Sequence, residues 1–318
     1  MQLRPGRWIR GLNGLVRQRG LIGIHLSARV RVQGRFIFGR GVSIGASSLI
    51  QVPEGARLTL GDEVRVGRQV EISAQSMISV GSFTSLQDRC QLHGEVSVGA
   101  SVVFAPNVFV SSGSHQFLER PAWLIRDQDA LVADPAYRAA EARRLPVVIE
   151  DDCWLGVNSV ITPGVTIGRG CVVGANSVVT DSIAPYSVVA GTPARVLRQR
   201  LDFRPPRAIS SHRPEDLPYF YAGFDQRQCA LTAAGWRAHG RFELALASAG
   251  ARALRLQLEA SQPLVLRCAG QETRVPAGAR DVLLVLEPYA PAGRIALEVL
   301  DSRGRPCSVT VARASLED

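Results

Sequence analysis

Aliphatic residues recur at every sixth position along much of this 318-residue chain. Leu60, Val66, Ile72 and Ile78 set the spacing, and after a slip of two Val80, Leu86, Leu92, Val98, Phe104 and Val110 continue it. Ile149, Leu155, Ile161, Ile167, Val173 and Val179 form a third run. In that run the next residue is Glu150, Gly156, Thr162, Gly168, Gly174 or Thr180, half of them Gly. A period of six fits neither a helix nor a simple two-faced strand. It fits a chain that runs straight for one short strand, turns a corner and repeats, with one aliphatic side chain inward per face. Three such faces make a triangular coil of about 18 residues, each coil resting on the one before. The small residue after each inward position is expected to ease the corner, where Gly costs least.

Cys153 and Cys171 share one phase of the repeat and are expected to stack inside adjacent coils. The six cysteines, at 90, 153, 171, 229, 268 and 307, form no CxxC pair and no disulfide framework. They read as reduced interior thiols, and no metal site is expected. Hydrophobic residues make up 46% of the chain and aromatics only 6%, a balance that suits stacked strands better than a helical bundle.

The formal net charge of +9 suggests nucleic-acid binding until it is located. Residues 1–40 hold nine Arg and no acid, while the rest of the chain balances 28 Arg against 28 acids. Basicity is therefore an N-terminal feature, and no nucleic-acid partner is expected. The sequence contains no Lys, which excludes Schiff-base and lysine-nucleophile chemistry. There is no apolar run long enough to span a bilayer. The N-terminus lacks the pattern of a secretory signal, so the expected compartment is the cytoplasm, with the inner face of the membrane within reach.

The reading divides the chain into a basic N-terminal segment and cap at 1–40, a β-helix at 41–200 interrupted by an insert at 111–146, a linker at 201–235 and an antiparallel β-sandwich at 236–318. Trp8, Ile9, Leu12, Leu15 and Val16 make an apolar helical stripe among Arg residues. It reads as a helix in peripheral contact with an anionic membrane, or as a cap over the open end of the solenoid. The cap is preferred. The insert holds His115, Trp123 and a helix-like stretch, DPAYRAAEARRL, and a long excursion from a rigid solenoid points to function. Beyond Arg200 the period of six disappears. Short alternating segments such as RFELALA, RALRLQLE and RIALEVL follow, separated by Gly, Pro and Asp, as in a sandwich. Tyr219, Phe220, Tyr221, Phe224 and Trp236 pack against it or offer a platform for sugar rings.

The segments VSVGASVVFAPNVFVSSGSHQF and VVIEDDCWLGVNSVITPGVTIGRGCVVGANSVVTDSIAPYSVVAGTPARVLR resemble the hexapeptide-repeat acyltransferases. The likeness covers about residues 40–200, and its second segment is similar to the acetyl-CoA half of the galactoside, maltose and polysaccharide O-acetyltransferases. The resemblance implies an all-β fold built on a left-handed parallel β-helix, assembly as a homotrimer, and acetyl-CoA as donor without a metal. It implies His115 as the general base for direct attack of an acceptor hydroxyl on the thioester. Ser85 stands where the family carries an Asn that holds the reacting groups. For the donor, it implies Trp154, Gly156 and Ala175 along the pantetheine channel and Thr180 as a further contact. Where the family often has a Lys for the CoA phosphates this chain has Asp181, so Arg195 and Arg198 become the candidate phosphate ligands. His93 and Trp123 are the candidate acceptor contacts. The acceptor implied is a saccharide or lipid-linked glycan of surface-polysaccharide biosynthesis.

Other readings remain beside this one. A trimeric scaffold whose sandwich binds glycans would need no chemistry at His115. An N-acyltransferase acting on an amino sugar would use the same coils. A carbonic anhydrase of the same coil would need three metal-binding His, usually with an HxxxxH pair, which is missing.

Overall fold

The computed structural model describes residues 2–3, 7–10, 22–117, 120–133, 145–224, 235–247, 251–268, 270–286 and 294–317. They fall into two compact units, Met1–Asp202 and Phe203–Asp318.

The first unit is a left-handed parallel β-helix of about eight coils. Its first face stacks the strands Ile22–Ile24, Val42–Ile44, Arg65–Val66, Ser85–Leu86, Val103–Phe104, Trp154–Leu155, Val172–Val173 and Ser187–Gly191 in parallel. The second face stacks Arg29–Val32, Leu49–Val52, the start of Glu71–Val80, the start of Gln91–Val98, Phe109–Ser111, Val160–Ile161 and Val178–Val179. The third runs from Arg35–Phe38 through Arg57–Leu60 to Val147–Ile149 and Thr166–Ile167.

The repeat that suggested this fold also fills its core. Every inward residue of the three runs is buried, from Leu60 to Val179, and they join one continuous cluster. Cys153 and Cys171 lie inside neighbouring coils, as expected, and each thiol donates to a corner carbonyl of the next coil, at Gly168 (3.2 Å) and Ala184 (3.0 Å). Burial pushes the Cys171 thiol up to about 11 and raises that of Cys153 further.

The corners correct one expectation. Positive φ falls not on the Gly after each inward residue but three positions before it, at Asn107, Asp152, Asn158, Asn176 and their equivalents. Asn and Asp tolerate that conformation better than most residues. Gly156 is needed for a different reason, since a Cβ there would lie 2.6 Å from the Ala175 backbone nitrogen. The side chains of Asn107, Asn158 and Asn176 form a ladder, amide to carbonyl, at 2.9 Å per step.

Coil length varies at one place only. First-face partners are spaced as Ile22 to Val42, Ser43 to Arg65 and Arg65 to Ser85, longer than the regular step of Ser85 to Val103. The surplus lies where the chain passes from the second face to the third. There Pro53–Ala56 make a turn, and the Ala74/Ile78 register shift accounts for the slip of two seen in the sequence. The long insert leaves the solenoid at the same corner, between Ser111 and Val147.

The N-terminal boundary also moves. The parallel ladder begins at Ile22, so residues 22–40 form the first coil. Arg7–Arg10 is a strand, not a helix, and pairs antiparallel with Arg29–Val32, while Gln2–Leu3 pairs with Arg35–Phe38. Backbone hydrogen bonding to an exposed ladder edge outweighs the weak helical stripe. Leu12, Leu15 and Val16 lie outside the described residues, as does nearly all of DPAYRAAEARRL. A helix of the insert among the described residues, Ile125–Ala133, lies just before that stretch.

Among the described residues the second unit forms a nine-stranded antiparallel sheet, barrel-like around one core, where a sandwich was expected. The long strands Trp236–Ala245 and Ser308–Glu317 each pair with different neighbours along their length, which lets one sheet enclose that core. Two of its strands, Ala208–Ser210 and Phe220–Phe224, come from the stretch read as a linker. Gln271–Val275 escaped the sequence pattern because it is a polar strand, paired among the described residues with Leu264–Cys268 alone. Phe220, Tyr221 and Trp236 are buried, and Phe224 packs edge-on against Phe220 and Phe242, so these rings serve the core and offer no sugar platform.

Candidate active site

His115 leaves the second face four residues after Ser111. The exit is pinned from below: Ser112 donates its N–H to the His93 carbonyl at 3.1 Å, and its hydroxyl accepts the Glu95 N–H at 2.7 Å. Gly94 beneath it has a φ of 91°, which disfavours any side chain, and a Cβ there would also displace the Ser112 Oγ, 2.2 Å away. His93 is in register with Ser111 on this face, its Nε2 3.3 Å from Gln91 Oε1 and its ring 5.7 Å from that of Phe109.

The helix of the insert turns back over this exit. Asp129 Oδ2 lies 2.7 Å from His115 Nδ1, and its Oδ1 accepts the Gln116 N–H at 2.9 Å. The Gln116 N–H and the His115 ring hold the Asp129 carboxyl below the usual carboxylate range. With Nδ1 donating to the carboxylate, the neutral ring has its free lone pair on Nε2. The His115 side chain is 81% exposed, so a substrate can reach that nitrogen. The preceding residue, Gln128, is buried and ties the other end of the loop, accepting the Arg120 N–H and donating to the Trp123 carbonyl. Trp123 is exposed, with the Arg120 guanidinium 4.4 Å from its ring centroid. Nothing in the sequence singled out Asp129, because its link to His115 depends on how the insert folds back.

The remaining candidates lie elsewhere on the coil. Ser85, Val103, Trp154, Val172, Val188 and Arg198 occupy successive rungs of the first face in one register. Ser85 is thus two rungs from Trp154, about 10 Å, and Trp154 is 53% exposed. Gly156 and Ala175 lie at the adjoining corner, where the Gly leaves room for the Ala175 backbone. Thr180 follows Val179 at the end of the second face, and its hydroxyl donates to Asp181 at 3.0 Å. Asp181 also faces Arg195 at 3.6 Å, so the reversed charge is offset within the chain, while Arg198 is exposed. The structure therefore gathers Ser85, Trp154 and Arg198 on one face and His93, His115 and Trp123 around a different corner. Among the described residues no hydrogen bond links the two groups.

No cluster of three or more metal-ligating side chains occurs among the described residues.

Residues 146–181 match the family described as the hexapeptide repeat of succinyl-transferase. The chain is 39% identical over 71 residues to a chloramphenicol acetyltransferase of Agrobacterium fabrum, covering 21% of this chain and 34% of that protein. It is 36% identical over 104 residues to the galactoside O-acetyltransferase of Escherichia coli, covering 33% of this chain and 44% of the relative. The chain thus spans less than half the length of either of these two curated relatives. A solved hexapeptide-repeat-containing acetyltransferase of Vibrio cholerae is 31% identical over 43% of this chain and 74% of its own, with a TM-score of 0.32. On these sequence identities, together with the repeat and the coil it builds, the chain belongs to the hexapeptide-repeat acetyltransferase family.

Proposed function

We propose that the protein is an acetyl-CoA-dependent O-acetyltransferase that acts on a saccharide hydroxyl in surface-polysaccharide assembly, with His115 as general base. The observation that carries this reading is the pair of His115 and Asp129 at 2.7 Å, with Nε2 directed to solvent at the exit of the insert. A base needs a fixed tautomer and an open nitrogen, and the carboxylate provides the first without blocking the second.

In the proposed reaction Nε2 takes the proton of the acceptor hydroxyl as its oxygen attacks the thioester carbonyl carbon. The tetrahedral intermediate then collapses with cleavage of the carbon–sulfur bond. The CoA thiolate recovers the proton from the imidazolium, leaving ester and thiol. Asp129 stabilises the imidazolium between the two proton transfers. Trp154, Gly156, Ala175, Thr180, Arg195 and Arg198 are the residues we assign to the donor, with the exposed Arg198 as the proposed phosphate contact. His93 and Trp123 are assigned to the acceptor. The saccharide acceptor is supported by the likeness to a galactoside O-acetyltransferase.

Because Ser85 and Trp154 occupy a different face from the His115 corner, the same reading requires a second copy to complete each site. A homotrimer in the cytoplasm, with the first face of one subunit against the insert of the next, meets that need. The exposed apolar residues Val103 and Trp154 on the first face fit such a contact.

The test is thiol release from acetyl-CoA with a panel of saccharides, together with mass by light scattering. The proposal expects saccharide-dependent release from a trimer. Release that is the same without any acceptor, or a monomer as active as the assembly, would overturn it.

A further inference from the structure

A parallel solenoid converts position in sequence into height along an axis. The charge asymmetry of this chain therefore becomes an asymmetry between the two ends of the coil. Residues 22–60 contain five Arg and one acid, Glu54, whereas residues 61–200 contain twelve Arg and fourteen acids. The N-terminal end of the solenoid is positive and the remainder is close to neutral.

Arg29, Arg31, Arg35, Arg40 and Arg57 are exposed, Arg40 in an ion pair with Asp62 at 3.3 Å, and with Arg65 at the start of the third coil they occupy all three faces. Arg29 is on the second face of the first coil, Arg35 on its third face, Arg57 directly in register with Arg35, and Arg65 on the first face. Among the described residues, no ion pair neutralises these four. Like charges directly opposed on neighbouring strands are destabilising, so Arg35 and Arg57 gain nothing from each other. The antiparallel rung Arg7–Arg10 continues the stack, with Arg10 opposite Arg29. At a corner of the first coil Leu26 is 63% exposed, an apolar side chain among the cations.

We infer that the N-terminal end of the solenoid docks on an anionic lipid bilayer, with the Arg ring against the headgroups and Leu26 at the interface. A flat surface meets a ring of cations that surrounds the end of a rod. A linear polyanion would instead be matched by cations aligned along one face or groove, and the arrangement here is not of that kind. Basic side chains near an anionic membrane surface each add to binding, and several together make it strong and salt-dependent. The inference agrees with a lipid-linked acceptor but does not depend on the catalytic reading.

The experiment is co-sedimentation of the full chain with phosphatidylcholine vesicles, with and without phosphatidylglycerol, at low and high salt. Binding is expected only with the anionic lipid, and rising salt should weaken it. The variant Arg29→Gln/Arg35→Gln/Arg57→Gln should lower vesicle affinity on the order of a hundredfold. A control variant, Arg237→Gln/Arg274→Gln/Arg313→Gln in the second unit, should keep it. Thiol release on a soluble saccharide should be unchanged in the first variant, which also reports that it folds. If that variant does not fold, Arg35→Gln alone should still weaken vesicle binding measurably. Equal binding to both vesicle types, equal loss in the control variant, or binding to a soluble acidic polysaccharide in place of vesicles would overturn the inference. A parent protein that binds anionic vesicles but releases no thiol would refute the proposed activity and leave the docking surface standing.

Discussion

The two corners that bound the second face of the solenoid are built on opposite principles. The corner before it, at residues 105–108, 156–159 and 174–177, keeps a fixed length from coil to coil and is tied by the Asn107, Asn158 and Asn176 ladder. The corner after it absorbs the variation in coil length, including the insert that carries His115 and Asp129. One corner needs a left-handed backbone residue at each level, with a close backbone approach at Gly156 and a side-chain ladder over Asn107, Asn158 and Asn176. The other imposes no such combination. Chemistry is lodged where the solenoid tolerates an excursion, and register is kept where it does not.

The largest expected effect lies at the tolerant corner. Replacing His115 with Ala should lower acetyl transfer by about a hundredfold to ten-thousandfold, the range for loss of a positioned base. CoA affinity and assembly should be nearly intact, as judged by calorimetry and light scattering. Transfer near the parent rate would remove chemistry from this corner and make His93 the next residue to test.

Asp129→Asn sharpens the same point. It keeps the size of the side chain but removes the charge that fixes the His115 tautomer, so turnover should fall, by less than for His115→Ala because the Asn oxygen can still accept from Nδ1. The KM for acetyl-CoA should move little. A large rise in that KM with turnover unchanged would assign Asp129 to donor binding.

The tied corner is broken by stability measurements. Gly156→Ala places a Cβ against backbone atoms of the next coil, and overpacking of this kind costs about 1–3 kcal/mol. Asn158→Ala forces Ala to a φ of 58° and cuts the ladder, with an expected loss of about 1–2 kcal/mol. Two extra residues inserted between Thr162 and Val165, at the tolerant corner, should shift the thermal midpoint less than two inserted between Gly156 and Asn158. Equal shifts would erase the distinction between the corners.

The smallest effect concerns pH. The folded Asp129 carboxyl titrates below its unfolded value, so the clamp on the insert is present above the ordinary carboxylate range. It is lost as pH falls through the depressed folded value. Proteolysis within the insert should quicken only at that acid end. In Asp129→Asn that acceleration should be absent.

Much of the solenoid follows from sequence alone, because one inward residue per face is a local rule repeated many times. Leu60 to Val179 could be placed inside without knowing any long-range contact, and His115 could be placed at the mouth of the insert. The first coil was missed because its rungs, RVRV and RFIF, alternate Arg with apolar residues and sit among basic residues that suggested a cap. The strands Ala208–Ser210 and Phe220–Phe224 were missed because Pro- and Arg-rich flanks concealed short segments that pair only in the folded sheet.

What the sequence by itself determined is therefore the coil, its period, its buried thiols and the position where the chain departs from it. Only the tertiary structure decided that Asp129 holds His115, that Arg195 answers Asp181, and that Ser85, Trp154 and Arg198 share a face apart from the corner that carries His115. The physical reason is the range of the interactions. Burial of every sixth residue is written locally and repeated, whereas a hydrogen bond across a folded insert depends on one non-local closure that no period encodes.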